Sequence, residues 1–206
     1  MKVVAYLSQK GGAGKTTLAV RTAVAAHEAG CGSVVVIDTD PQKSATVWGE
    51  ARRHAAPIVA TADVSELGRV LEAAHSEGVA LAVVDAAPHA APAAATIARA
   101  AGLVAIPCRP TAFDLAAAGG AVRIVKAAGV KAVFVLSACP FRAPEIAETR
   151  EALRGYGLPV APVEITERRA FARAVATGRA VTEFEEGGKA ASEIRHLWSW
   201  LWEQMT

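Results

Sequence analysis

Eight residues near the start of the chain, Lys10-Gly11-Gly12-Ala13-Gly14-Lys15-Thr16-Thr17, constrain its fold more than any other stretch. They follow a short apolar run at 3–7 and precede a helical pattern at 17–29, so a strand runs into a glycine-rich turn and then into a helix. Three glycines let backbone N–H groups converge on an anion, and the helix adds the positive end of its dipole. In such a phosphate-binding loop Lys15 lies along the β- and γ-phosphates of a nucleotide, and Thr16 offers its hydroxyl to Mg²⁺. The general spacing G-x-x-x-x-G-K-[ST] wants glycine at position 9. Gln9 stands there, so the loop is a variant with a lysine, Lys10, at its mouth.

The rest of the chain agrees with that opening. Apolar runs bounded by turn residues recur at 3–7, 33–37, 58–60, 79–84, 103–106, 131–136 and 160–163, and helical patterns such as 17–29 and 65–76 lie between most of them. Strand alternating with helix predicts an α/β three-layer fold, a mostly parallel twisted sheet with helices on both faces. Right-handed crossovers then gather the loops at the carboxyl ends of the strands around one ligand crevice. The 206 residues, 52% hydrophobic, suit one domain spanning 1–206. Aromatics make up only 5%, which suits close packing of alanine-rich helices on strands buried on both faces. The segment 86–101 reads as a loop leading into a helix, and apolar residues at Ile194, Leu197, Trp198, Leu201 and Met205 line one face of a final helix.

The pattern K-G-G-x-G-K-T-T resembles the deviant Walker A box of the ParA/MinD family, and with it the P-loop NTPase fold. The resemblance implies a homodimer that forms when ATP and Mg²⁺ are bound. Lys10 matches the signature lysine that crosses the dimer interface to phosphates held by the other subunit, and would stabilise the transferring phosphoryl group as an arginine finger does. The segment Val36-Ile37-Asp38-Thr39-Asp40-Pro41-Gln42 resembles the family's D-x-D-P-Q switch I. That likeness gives Asp38 a metal-bound water and gives Asp40 the water that attacks the γ-phosphate. Leu81-Ala82-Val83-Val84-Asp85 has the form of a Walker B strand, with Asp85 completing the metal site beside Thr16. Ala86-Ala87-Pro88-His89 stands in the place of switch II, where His89 could report the γ-phosphate; a loop histidine can equally be merely exposed. Ile106-Pro107-Cys108-Arg109-Pro110 resembles the I-P-x-x-P loop beside the nucleotide, which places Pro107 and Pro110 there. Ser137 stands where many relatives have an asparagine next to adenine. The likeness continues through Ile165-Thr166-Glu167-Arg168-Arg169-Ala170-Phe171 and Gly178-Arg179-Ala180-Val181, so it covers nearly the whole chain. Catalysis is thus expected of Lys10, Lys15 and Asp40, cofactor binding also of Gly11, Gly12, Ala13, Gly14, Thr16, Thr17, Pro107, Pro110 and Ser137, and metal binding of Thr16, Asp38 and Asp85.

Among such proteins the first strand begins without a helix-turn-helix domain before it, which resembles the small ParA-like branch. The expected function is an ATPase switch that binds DNA non-specifically in its ATP state and positions a plasmid, chromosome region or other cargo, stimulated by a ParB-like or cargo-adaptor protein. A net charge of +2 permits a nucleic-acid partner if charge is clustered. Candidate DNA contacts are Arg168, Arg169, Arg173, Arg179, Lys189 and Arg195, although Glu164, Glu167, Glu183, Glu185 and Glu186 are interspersed. A second reading is a MinD-like membrane regulator, resting on Trp198, Trp200 and Trp202; the polar face there offers little beyond Arg195 and His196. A third is a metabolic enzyme of the superfamily, either a dethiobiotin-synthetase-like ligase or a nitrogenase-type iron protein. The first lacks a substrate motif, and the second lacks a cluster context for Cys108 and Cys139. Three cysteines without metal spacing, no room for a signal peptide and no run of about 20 apolar residues predict a cytoplasmic, nucleoid-associated protein without membrane attachment.

Overall fold

A computed structural model of the chain describes residues 1–88 and 91–206. Its strands are β1 (Lys2–Tyr6), β2 (Val34–Asp38), β3 (Ile58–Thr61), β4 (Leu81–Asp85), β5 (Leu103–Cys108) and β6 (Lys131–Leu136). They form one parallel sheet in the order β3-β2-β4-β1-β5-β6. The helices are α1 (Lys15–Glu28), α2 (Ser44–Glu50), α3 (Leu67–Ser76), α4 (Ala91–Ala100), α5 (Ala112–Ala128), α6 (Glu145–Arg154), α7 (Arg169–Val175), α8 (Val181–Phe184) and α9 (Lys189–Met205), with a short 3-10 turn at Val64–Glu66. This is the parallel α/β arrangement that the alternating runs predict, and the one that the resemblance to P-loop NTPases implies.

The central strands are apolar on both faces because both faces are covered. Val4, Tyr6, Val34, Val36, Leu81 and Val83 pack into a core shared with α1 and α9. Their neighbours Ala5, Val35, Ile37, Ala82 and Val84 pack into a second core under α4 and α5. Successive side chains alternate between the two cores, as the pleat requires. Ala19, Ala23 and Ala26 of α1 are fully buried, and their small side chains let that helix lie close on the sheet. Beneath the loop, the Tyr6 hydroxyl shares a buried 2.8 Å hydrogen bond with Thr22, which fastens β1 to α1.

The apolar run at 160–163 departs from expectation. It makes only an isolated parallel bridge, Phe134 to Val160, and a second bridge joins Cys139 to Thr166. Pro159 before that segment and Pro162 within it supply no N–H, and the ladder beyond β6 does not propagate. The final helix follows its pattern: Ile194, Leu197, Trp198 and Leu201 are buried on α1 and its surroundings. Lys2 caps its end, donating from Nζ to the Met205 carbonyl at 2.9 Å with the ammonium 4.5 Å from the centre of the Trp202 ring. Trp200, Trp202 and Met205 also pack against this core, so the tryptophans that suggested a membrane face belong largely to the interior. Among the described residues, no helix is long and apolar enough to cross a membrane.

Candidate functional site

The parallel register brings the acidic strand ends together. Tyr6 of β1 and Asp38 of β2 both pair with Asp85 of β4, so the phosphate loop leaves the sheet directly beside two carboxylates. The loop turns through left-handed conformations at Gly12 (φ 74°) and Gly14 (φ 97°), which glycine adopts without steric cost. Gly14 then caps α1, which starts at Lys15. Gln9, in place of the general motif's first glycine, lies against α5. A Cβ on Gly120 would sit 1.7 Å from the Gln9 amide oxygen, so the bare backbone of Gly120 makes room for this departure.

Lys15 and Asp85 show the chemistry of a site built for a phosphate and a cation. Lys15 is 6% exposed, and its Nζ reaches the Lys10 carbonyl at 3.3 Å. Burial pushes its pKa down, while Asp85 and Asp40 pull the other way. Asp85 is fully buried, and neither carboxylate oxygen has a hydrogen-bond partner among the described residues. Burial, with Asp38 adding to it, raises its pKa to about 7. A bare buried carboxylate is costly unless something cationic faces it. Mg²⁺ fits this donor set: Thr16 and Asp85 would hold it, with nucleotide oxygens and water completing an octahedron. Among the described residues no group of three His, Cys, Asp or Glu side chains forms a metal cage of its own.

Asp38, the residue expected to hold a metal-bound water, accepts three hydrogen bonds from the loop and helix that follow it. One oxygen accepts from the Asp40 amide at 3.1 Å, and the other accepts from both the amide and the hydroxyl of Thr46 at 2.9 Å. This buried carboxylate thereby ties both ends of the loop 39–43 and the start of α2 to the sheet. Thr39 adds its hydroxyl and amide, both donating to the Asp85 carbonyl. Asp40 lies within this clamped loop, accepts from the Gln42 amide at 2.9 Å and lines the cavity.

The cavity holds about 640 Å³. Its lining combines the phosphate loop, Gly11, Gly12, Gly14, Lys15, Thr16 and Thr17, first with Asp40 and Pro88 and then with Leu18, Ile165, Phe171, Ala172 and Val175, among which stand the polar Arg21, Thr166, Glu167 and Arg168. The first set suits phosphates, and the apolar residues of the second suit a planar group such as a base. Three residues expected beside the nucleotide lie around this cavity. Pro107 and Pro110 are buried, and Arg109 between them lines the cavity. Pro107 lies in β5 beyond its pairing with β1, which ends at Ala105, so its missing N–H breaks no ladder on that side. Ser137 is 3% exposed, and its hydroxyl donates to the Ala13 carbonyl at 2.7 Å. It braces the phosphate loop, and Ser137 is itself one of the residues lining the cavity. His89 lies outside the described residues.

The sequence pattern did not single out Arg21. It stands on α1 and is 1% exposed, donating to the Thr17 carbonyl at 2.7 Å and the Phe171 carbonyl at 2.9 Å. Its guanidinium lies 4.7 Å from the Phe171 ring centre, and burial lowers its pKa to about 10. It couples the phosphate helix to the apolar wall of the cavity. Among the basic residues expected on a DNA face, Arg168 pairs with Glu193 at 2.6 Å, and Arg195 donates to the carbonyls of Glu186 and Thr182. Those two hold the fold together. Arg179 donates to the Thr177 hydroxyl and lies over Phe184, whereas Arg169, Arg173 and Lys189 are exposed.

Comparison with known proteins agrees with this site. The family model described as "CobQ/CobB/MinD/ParA nucleotide binding domain" matches residues 4–181. A maintenance of carboxysome distribution protein A from Gloeobacter kilaueensis is 34% identical over 198 residues, covering 93% of this chain and 88% of that protein. A ParA protein from Rhizobium radiobacter is 28% identical over 180 residues, covering 83% and 81%. The fold matches that of the septum site-determining protein MinD of Pyrococcus horikoshii, solved with Mg-ADP, with a TM-score of 0.77 at 16% identity over 97% and 95% of the two chains. With a family match that spans both the phosphate loop and the strands bearing Asp38 and Asp85, the chain belongs to the CobQ/CobB/MinD/ParA nucleotide-binding family.

Proposed function

We propose that this protein is an ATP-dependent dimerising switch with weak ATPase activity, which positions a cargo by binding DNA non-specifically in its ATP state. The observation that carries the reading is the division of labour between two lysines of one loop. Lys15 is buried at 6% exposure inside its own cavity, whereas the Lys10 side chain is 37% exposed at the mouth. One cation serves the bound nucleotide, and the other is left for a nucleotide held by a second copy. The likeness to a carboxysome-distribution protein and to ParA supports cargo positioning over the metabolic readings. The burial of the tryptophan-bearing face of α9 speaks against the membrane reading.

In this reading the loop N–H groups and Lys15 hold the phosphates, and Thr16 and Asp85 would hold Mg²⁺, which would supply countercharge to the phosphates. Asp38 fixes the loop that carries Asp40, and Asp40 orients water for in-line attack on the γ-phosphorus, the bond to the β-phosphate oxygen breaking to give ADP and phosphate. Loss of the γ-phosphate releases the partner subunit and ends DNA attachment. Arg169, Arg173 and Lys189 are the exposed cations that would meet DNA phosphates, a contact that weakens steeply with salt. Fluorescent nucleotide titration and turnover in three variants test this scheme. Lys15→Ala is expected to bind ATP at least 100-fold more weakly, Lys10→Ala to keep binding but lose dimerisation, and Asp40→Ala to bind normally and turn over at least tenfold more slowly. Normal turnover by either Lys10→Ala or Asp40→Ala would overturn the assignment.

A further inference from the structure

We infer that Asp114 is a positioning residue for Lys10, which it holds within its own subunit and releases when the lysine engages nucleotide on a second copy. The inference rests on the proposed function for the destination of Lys10, while the holding contact is seen directly. Lys10 Nζ donates to Asp114 Oδ2 across 104 positions of sequence. The Thr111 hydroxyl donates to the same oxygen at 2.5 Å and accepts from the Asp114 amide at 3.2 Å, so α5 begins with its carboxylate locked in place. Asp114 is 4% exposed, and its other oxygen has no partner among the described residues.

The two partners of the pair are unequally placed. Asp114 is buried on the rigid first turn of α5, whereas Lys10 reaches it on a long side chain that remains partly in solvent. Lys10 can therefore leave by side-chain rotation, and Gln9, packed against Gly120, anchors the backbone behind it. The adjacent Phe113 ring is 82% exposed, with the ammonium 5.9 Å from its centre, so among the described residues the exit is open to solvent. When Lys10 departs, Asp114 keeps only the Thr111 hydroxyl and becomes a buried carboxylate without a countercharge. Breaking a buried pair by removing one partner is strongly unfavourable. A dimer that recruits Lys10 from both subunits meets that cost twice, so Asp114 sets the threshold for dimerisation and opposes it until both nucleotides are in place.

Asp114→Asn keeps the shape and can still accept from Thr111, and Asp114→Ser removes the charge with a smaller side chain. The full-length chain and both variants are compared in two measurements. Without nucleotide, acylation of each lysine is timed by peptide mass spectrometry, because the Lys10 amine must leave the carboxylate before it reacts. Lys10 is expected to react at least fivefold faster in both variants, with Lys126 unchanged as the internal standard. With Mg-ATP, the dimer dissociation constant from sedimentation is expected to fall at least tenfold in both variants. Lys10→Ala/Asp114→Asn is expected to behave like Lys10→Ala alone, which a merely structural role for Asp114 would not produce. Unchanged Lys10 labelling, or a dimer no tighter than that of the natural chain, overturns the inference. If the natural chain forms no ATP dimer, the proposed function fails, and the labelling comparison still decides whether Asp114 holds Lys10.

Discussion

At the scale of single residues, Asp85 is the side chain least at ease without a ligand. It is fully buried with both oxygens bare, and its pKa rises from an ordinary 3.8 to about 7, chiefly through burial. Because the folded value lies above the unfolded one, the folded chain holds this proton more tightly. The contribution of Asp85 to the stability of the nucleotide-free protein is therefore fully present below about pH 4 and is lost as pH rises to about 7, a change on the order of 4 kcal/mol. Urea unfolding between pH 4 and 8 measures that slope. Asp85→Asn is expected to flatten it, and an unchanged slope in that variant would show that Asp85 is not its source. Asp38, one strand away, is equally buried yet surrounded by donors, which is why two acids in adjacent registers have such different roles.

At the scale of elements, the segment 165–168 is joined to α9 by Glu193, which accepts from the Thr166 amide and hydroxyl and pairs with Arg168. Both members of the ion pair are mostly buried, at 25% and 16% side-chain exposure. Glu193→Gln is expected to lower stability by about 2 kcal/mol in denaturant unfolding, whereas Arg169→Ala, on the exposed side, should change it by less than about 0.5 kcal/mol. Equal effects would show that the pair does not anchor the wall. The strands and their acidic ends were legible in the sequence because buried parallel strands are continuous apolar runs, and Asp38 and Asp85 terminate two of them. The run at 160–163 misled because apolar content outweighed Pro159 before it and Pro162 inside it. For Arg168 the sequence left both a DNA contact and a structural role open, because its partner lies 25 positions away on α9. The same limit hid Asp114 from Lys10 and the Ala13 carbonyl from Ser137, since periodicity carries no information about which loop faces which. Arg21 was missed for a further reason: an arginine inside a helix reads as solvent-facing by residue type, and only packing shows it beneath Phe171.

At the scale of the whole molecule, the sheet order collects the phosphate loop, the loop tied by Asp38, the bare Asp85 and the Arg109 loop at one edge, and leaves Lys10 and Phe113 facing outward beside them. In the proposed scheme a chain arranged in this way would bind a nucleotide alone and become complete as a switch only when a second copy faces the same edge. An isologous dimer places each lysine near the other subunit's phosphates. The most direct test of that claim is the mass of the natural chain in solution, by light scattering after size exclusion, without nucleotide, with Mg-ADP and with Mg-ATP. The account predicts 21.2 kDa in the first two conditions and twice that with Mg-ATP; a mass that stays the same in all three would contradict it.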